Sequence, residues 1–209
     1  MAVTLRTPEE KTSYCIGLDV GASFQRFPMD VDVDAFVEGV RDVVGGQAPR
    51  LTQPEFTALM RAFHEKLQAQ SRDAQKTEAS NNGDAGAEFR ENNANGPNVE
   101  VRESGLHIEM LTEGTGSLPS ATDTVRVHYR GTLIDGTEFD SSYARGEPAE
   151  FPLNRVIAGW TEGLQQIKAG GKARLVVPPE LGYGSQGAGQ LIGPNATLIF
   201  EVELLDILD

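Results

Sequence analysis

Val125–Ser142 reads VRVHYRGTLIDGTEFDSS, and the fold of the C-terminal half turns on it. Val125, Val127 and Tyr129 alternate with Arg126, His128 and Arg130, the period-two pattern of a strand with one face buried. Asp135-Gly136 is a hairpin signal, because glycine enters the left-handed backbone region without a steric cost. The chain then returns with Phe139 followed directly by Asp140. A sheet that buries aromatic rings on one face therefore brings a carboxylate and the Tyr129 phenol into one neighbourhood.

The same period extends outward from this hairpin. In GLHIEML, Leu106, Ile108 and Met110 alternate with His107 and Glu109, which are expected to face away from the core. EFDSS and ARLVVP follow as strands. ATLIFEVELLDI places Leu198, Phe200, Val202 and Leu204 on one face. A short helix fits only around GWTEGLQQI. The expectation for residues 99–209 is a small antiparallel sheet wrapped on one short helix, giving an α+β chain.

Before about residue 80 the periodicity is helical. Thr7-Pro8-Glu9-Glu10 resembles a capping box with proline in the first turn, and Tyr14, Gly17, Leu18 and Gly21 then share a helical face. Two glycines four apart, each costing about 1 kcal/mol against alanine, point to close approach of another backbone, either within the chain or from a second copy. VDAFVEGVRDVV carries Phe36, Val37, Val40 and Val44 as a stripe stopped by Gly45-Gly46. Thr52 and Glu55 form a second capping box, with Leu51 placed to staple onto Phe56. Phe56, Leu59, Met60, Phe63 and Leu67 continue one stripe. Three such helices bury little apolar surface alone, so residues 1–67 are expected to form a helical dimerisation domain. Residues 68–98 are expected to be a connector, helical in part, with a break or hinge near 80–86, where SNNGDAG concentrates helix breakers.

Charge excludes one class of partner. The net charge is −13, with 10 basic against 15 acidic residues before Asn95 and 8 against 16 after it. Neither half offers the clustered Lys and Arg that a nucleic-acid backbone requires. No stretch approaches the roughly 20 apolar residues of a membrane span, and MAVTLRTPEEKTSYCIG lacks the basic start and apolar run of an export leader. Cytoplasmic residence is the expectation, with the periplasm as the alternative if a leader had been removed. The single cysteine, Cys15, forms no intrachain disulfide and is expected to be a small buried hydrophobe, a bond between two copies being the alternative.

Familiar reactive constellations are absent. Gly182-Tyr183-Gly184 follows VPPEL rather than a strand leading into a helix, which disfavours a phosphate cradle. His64, His107 and His128 share no metal-ligand spacing, so no metal or cofactor is expected. Ser141 and Ser142 have no triad-like order around them. What remains is a cluster of Tyr129, Phe139, Phe151, Val156, Ile157, Trp160, Tyr183 and Phe200, which by itself reads as plain core more often than as a binding pocket.

VHYRGTLIDGTEFDSS, FPLNRVIAGWTEGL, ARLVVPPELGYG and PNATLIFEVELL resemble, in order and interval, the successive signatures of the FKBP-type peptidyl-prolyl cis-trans isomerases from about Ser104 onward. SYCIGLDVGASF and the following helix pair resemble the helical N-terminal domain of the Mip-like and cytoplasmic bacterial members. In those relatives this domain dimerises by entwining its helices, and a long helix carries each catalytic domain. The resemblance implies a cleft with Trp160 as floor beneath a proline ring. Tyr129, Phe139, Val156, Ile157 and Phe200 would form walls, and Phe151, Leu191 and Ile192 further substrate contacts. It implies that Asp140 networks with Tyr129 and Arg145 at the rim, and that Tyr183 and the Ile157 amide bind substrate carbonyls. Tyr129, Asp140 and Tyr183 are thus the implied catalytic positions. Proline-containing polypeptides, inhibitors of the tacrolimus and rapamycin type and a second copy of the chain are the implied partners. Four departures stand out: Ala149 where many members have an aromatic wall, Ala188 in place of a histidine of some members, Gly193-Pro194 in place of Pro-Pro, and a loop between Leu153 and Val156 one residue shorter than in some relatives. A folding catalyst is the expected activity, with a chaperone that holds unfolded chains as the alternative.

Overall fold

The computed structural model describes residues 4–26 and 31–208. Its contacts divide the chain into two compact units, one up to Ser71 and one from Arg72 onward.

The first unit is helical. Helix α1 (Pro8–Arg26) starts at the expected capping box, with the Thr7 N–H donating to Glu10 Oε2 at 2.9 Å and the Glu10 N–H donating back to Thr7 Oγ1 at 3.2 Å. Helix α2 (Val33–Val44) is capped by Asp32, which accepts from the Ala35 N–H at 3.0 Å, and it ends at Gly45. Helix α3 (Gln53–Ala94) opens on the second capping box, the Thr52 N–H donating to Glu55 Oε2 at 2.9 Å. Phe24 and Phe36 meet edge to face at 5.1 Å. No described residue of this unit is fully buried, and Cys15, expected to be buried, is exposed. The reason is visible in α2, none of whose apolar stripe is buried by its own chain.

Helix α3 corrects a second expectation. It runs for 42 residues straight through SNNGDAG and through most of the expected connector. The breakers do not interrupt it because this part of the helix belongs to the second unit, where from Glu78 onward one of its faces is held by residues 193–197. Its fully buried residue is one of the supposed breakers, Gly86.

The second unit is a seven-stranded antiparallel sheet. Its strands are β1 (Val99–Val101), β2 (His107–Thr112), β3 (Thr124–Leu133), β4 (Glu138–Ser141), β5 (Ala149–Pro152), β6 (Lys172–Val177) and β7 (Leu198–Leu208). They lie in the order β1-β2-β6-β7-β3-β4, with β5 also paired to β3. The β3–β4 hairpin turns at Gly136, whose φ of 88° is the left-handed conformation that Asp135-Gly136 anticipates. Strand β3 buries Val125, Val127 and Tyr129, and its neighbour β7 buries Leu198, Phe200, Val202 and Leu204. Short helices α4 (Ser142–Arg145) and α5 (Ala158–Leu164) complete the unit. Strands β1 and β5 and helix α4 are too short to leave a periodic trace in the sequence.

Helix α5 presses Trp160 and Leu164 into the sheet. It comes close because Gly159 and Gly163 face β6. A methyl at Gly159 would meet Val177 Cγ1 at 2.6 Å, and one at Gly163 would meet Leu175 Cδ1 at 2.8 Å. Both are below ordinary van der Waals distance, so glycine here sets the depth at which the indole sits. His107, expected to face away from the core, is instead buried at 5% exposure, and its Nδ1 accepts from Asn93 Nδ2 of α3 at 3.0 Å.

Candidate active site: an aromatic cleft with a tyrosine–aspartate–arginine rim

A cleft of about 670 Å³ opens between the sheet, α5 and the segment after Tyr183. It is lined by Tyr129 and Phe200 from the sheet, Phe139 and Asp140 from β4, Phe151 from β5, Val156, Ile157 and Trp160 from the approach to α5 and its first turn, and Tyr183 and Ile192 beyond β6. Ten of the twelve residues expected at the site therefore converge on one opening.

Trp160 forms the floor and is 4% exposed. Tyr129, Phe151 and Phe200 each meet the indole edge to face, at 5.0, 5.5 and 5.3 Å between centroids. Phe139 meets Phe200 in the same way at 5.5 Å. Perpendicular pairs of this kind place positive ring edges on negative faces, each worth about 0.5–1.5 kcal/mol beyond the area buried. The aromatic box is therefore rigid as well as apolar. The Trp160 Nε1–H has no hydrogen-bond partner among the described residues.

The rim is polar. The Tyr129 hydroxyl donates to Asp140 Oδ2 at 2.5 Å and accepts from Arg145 Nη2 at 2.9 Å, while Arg145 Nη1 donates to Asp140 Oδ1. Burial pushes the Asp140 carboxyl up, but the hydrogen bonds from Tyr129 and Arg145 outweigh it and hold the group below its ordinary value. Burial, then the hydrogen bond to Asp140, raises the Tyr129 phenol. At neutral pH the carboxylate is ionised and paired and the phenol keeps its proton, so neither is poised as a general base. Nor does any described group of three or more His, Cys, Asp or Glu converge to hold a metal.

Two expected contacts need correcting. Arg145 does not line the cleft; it acts behind the rim through Tyr129 and Asp140. Leu191 lies in a separate crevice with Glu78, Asn82 and Leu133. The Ala188↔Ile192 bridge closes a tight turn, which points Ile192 into the cleft and the neighbouring Leu191 away from it. Arg155 and Gly189, which the sequence pattern did not single out, also line the opening, together with Ala188. No ion-pair partner for Arg155 exists among the described residues, so the cleft mouth carries an unpaired guanidinium in a chain of net charge −13.

The Ile157 amide precedes α5, and none of the described residues accepts a hydrogen bond from it. It is thus available to a ligand in the cleft.

Comparison with known proteins agrees with this geometry. Residues 116–205 match the family described as FKBP-type peptidyl-prolyl cis-trans isomerase, and residues 9–109 match the domain amino terminal to it. The FKBP-type 22 kDa peptidyl-prolyl cis-trans isomerase of Escherichia coli K12 is 44% identical over 98% of each chain. The outer membrane protein MIP of Legionella longbeachae is 38% identical over 99% of this chain and 88% of its own length. The crystal structure of FkpA from Escherichia coli superposes with a TM-score of 0.78 at 38% identity, covering 98% of both chains.

Proposed function

The chain belongs to the FKBP-type peptidyl-prolyl cis-trans isomerases, enzymes that interconvert cis and trans X–Pro bonds, and we propose that its cleft does so without any reactive side chain. The observation that carries this reading is the rim: Asp140 is tied to both Tyr129 and Arg145, leaving an indole-floored apolar slot as the working surface.

Rotation about an X–Pro bond makes and breaks no covalent bond. The barrier is about 18–20 kcal/mol because resonance stiffens the C–N linkage. At the twisted transition state that resonance is lost and the amide is less dipolar. A dry aromatic slot therefore disfavours the planar imide relative to the twisted one. In this account the proline ring sits on Trp160, the Ile157 N–H and the Tyr183 hydroxyl hold the flanking carbonyls, and the Asp140 network sets the local field. A thousandfold acceleration needs about 4 kcal/mol of differential stabilisation, which several such contacts supply together. Tacrolimus-type and rapamycin-type ligands, which present an apolar ring and carbonyls in the same arrangement, occupy the same slot. The test is cis–trans exchange of a proline tetrapeptide with and without rapamycin. Catalysis abolished by the macrolide supports the assignment; exchange at the uncatalysed rate in both arms refutes it.

The helical unit supports a dimer. Ile16 and Val44 are 62% and 83% exposed, and Leu18, Val40, Val43, Phe56 and Leu59 are exposed with them. Apart from the helix's own neighbouring backbone, no described atom lies within 4 Å of where a methyl would stand at Gly17 or Gly21, so packing within the chain does not account for those glycines. A second copy would cover this apolar surface, giving a homodimer through the N-terminal helices. Sedimentation decides it: a monomer at micromolar concentration refutes the dimer. An exposed Cys15 thiol suits a reducing compartment such as the cytoplasm.

A further inference from the structure

The segment Tyr183–Thr197 has two faces. One lines the cleft through Tyr183, Ala188, Gly189 and Ile192. The other lies against the C-terminal half of α3. Asn82 Nδ2 donates to the Pro194 carbonyl at 2.9 Å, Asn195 Nδ2 donates to the Ala79 carbonyl at 3.3 Å, and Arg90 Nη1 donates to Thr197 Oγ1 at 2.5 Å. Gly86 makes the approach possible, since a methyl there would strike the Thr197 hydroxyl and come within 3.2 Å of its Cβ. A methyl at Gly193 would likewise stand 2.9 Å from Asn82 Nδ2. Glu78, Asn82, Gly86 and Arg90 recur every four residues, which puts them on one helical face.

Apart from one 3₁₀ turn at Gly184–Gln186, the segment has no regular structure of its own. Its internal ties are few: the Asn195 N–H to Gly184 O, and the mutual bonds of Ala188 and Ile192. Asn195 also adopts a left-handed φ of 55°, uncommon for a residue with a side chain, while its amide holds Ala79. Segments of this kind are mobile unless another element fixes them.

We propose that α3 from Glu78 to Asn93 is a buttress for the cleft wall, and that Asn82 and Gly86 are positioning residues for substrate binding. They touch no substrate. They hold the segment that carries Ile192, so substrate affinity in the cleft and docking of α3 are linked reciprocally. This inference rests on the isomerase reading above.

The test uses the full chain and three variants, Asn82→Ala, Gly86→Ala and Gly83→Ala. Alanine favours a helix over glycine, and Gly83 has nothing within 4 Å, so Gly83→Ala is the control for helix propensity alone. Asn82→Ala removes a tie without adding bulk, which covers the case in which Gly86→Ala does not fold. The expected result is a KM for a proline tetrapeptide raised about fivefold in Asn82→Ala and more in Gly86→Ala, with kcat within about twofold of the parent and Gly83→Ala unchanged. A loss of kcat at constant KM would mark a merely structural role and overturn the proposal, as would kinetics indistinguishable from the parent in folded Asn82→Ala. Absence of exchange activity in the parent would instead bring down the isomerase reading, and this inference with it.

Discussion

The Tyr129 phenol donates to Asp140 Oδ2 at 2.5 Å, although the two residues lie on different strands, β3 and β4. The hairpin between them turns at Asp135-Gly136, and Arg145 closes the triangle from α4. Arg145 therefore neutralises the Asp140 carboxylate while the phenol keeps its proton, and the cleft keeps a polar rim without a free base.

Activity should be flat with pH. The Asp140 carboxyl lies below its ordinary 3.8 and the Tyr129 phenol above its ordinary 10.0, so neither changes charge between those values. The stability Asp140 contributes is present above 3.8 and lost as pH falls through the lower folded value. That of Tyr129 is present below 10.0 and lost as pH rises through the higher one. A bell-shaped kcat/KM profile centred near neutrality in a protease-free assay would contradict this.

Replacing Tyr129 by Phe should leave the aromatic box standing and remove only the rim. Exchange is expected to fall by about tenfold or less, the scale of one hydrogen bond made selectively in the transition state. A fall of about ten-thousandfold would instead indicate that the hydroxyl takes part chemically.

Trp160→Leu should weaken proline-peptide binding and kcat/KM by about tenfold to a hundredfold, because the indole anchors the floor against three rings. Trp160→Ala should also destabilise the fold by about 3–5 kcal/mol, as large-to-small changes of buried aromatics do. Peptide titration and urea unfolding separate the two effects. Full refolding assistance to a proline-limited protein by Trp160→Leu, with peptide exchange lost, would favour the chaperone alternative.

Gly163→Ala should destabilise the protein by about 1–2 kcal/mol, although alanine is the better helix former by about 1 kcal/mol. The added methyl would stand 2.8 Å from Leu175 Cδ1, and Leu175 is fully buried and cannot yield. A raised melting temperature would show that α5 is not limited by that contact.

Acid should loosen the second unit through His107. Burial, and then the nearby Arg90 charge, depress its folded value below the ordinary 6.5. The native protein therefore holds His107 neutral, with Nδ1 accepting from Asn93, and the stability this provides is present above 6.5 and lost as pH falls. His107→Gln should flatten the melting-temperature profile between about pH 7 and pH 5. An unchanged slope in that variant would assign the acid limb to carboxylates instead.

The sequence alone determined the β core and most of the cleft. Alternation of Val125, Val127 and Tyr129 sets which side chains face inward, since a strand inverts direction at every residue. The signatures around Trp160 and Tyr183 placed the aromatic box, and the capping boxes at Thr7 and Thr52 placed the starts of α1 and α3. What tertiary structure decided was the course of α3 and everything that follows from it. Its docked face consists of Glu78, Asn82, Gly86 and Arg90, which carry no hydrophobic period and read as a broken connector. The helix holds because Asn82 and Arg90 donate to the Pro194 carbonyl and the Thr197 hydroxyl, and the Asn195 side chain donates to the Ala79 carbonyl, contacts spanning more than a hundred residues that no local pattern encodes. The burial of His107 beside Asn93 and the outward turn of Leu191 have the same origin: each depends on where a distant segment comes to rest, and only the folded chain brings that segment near.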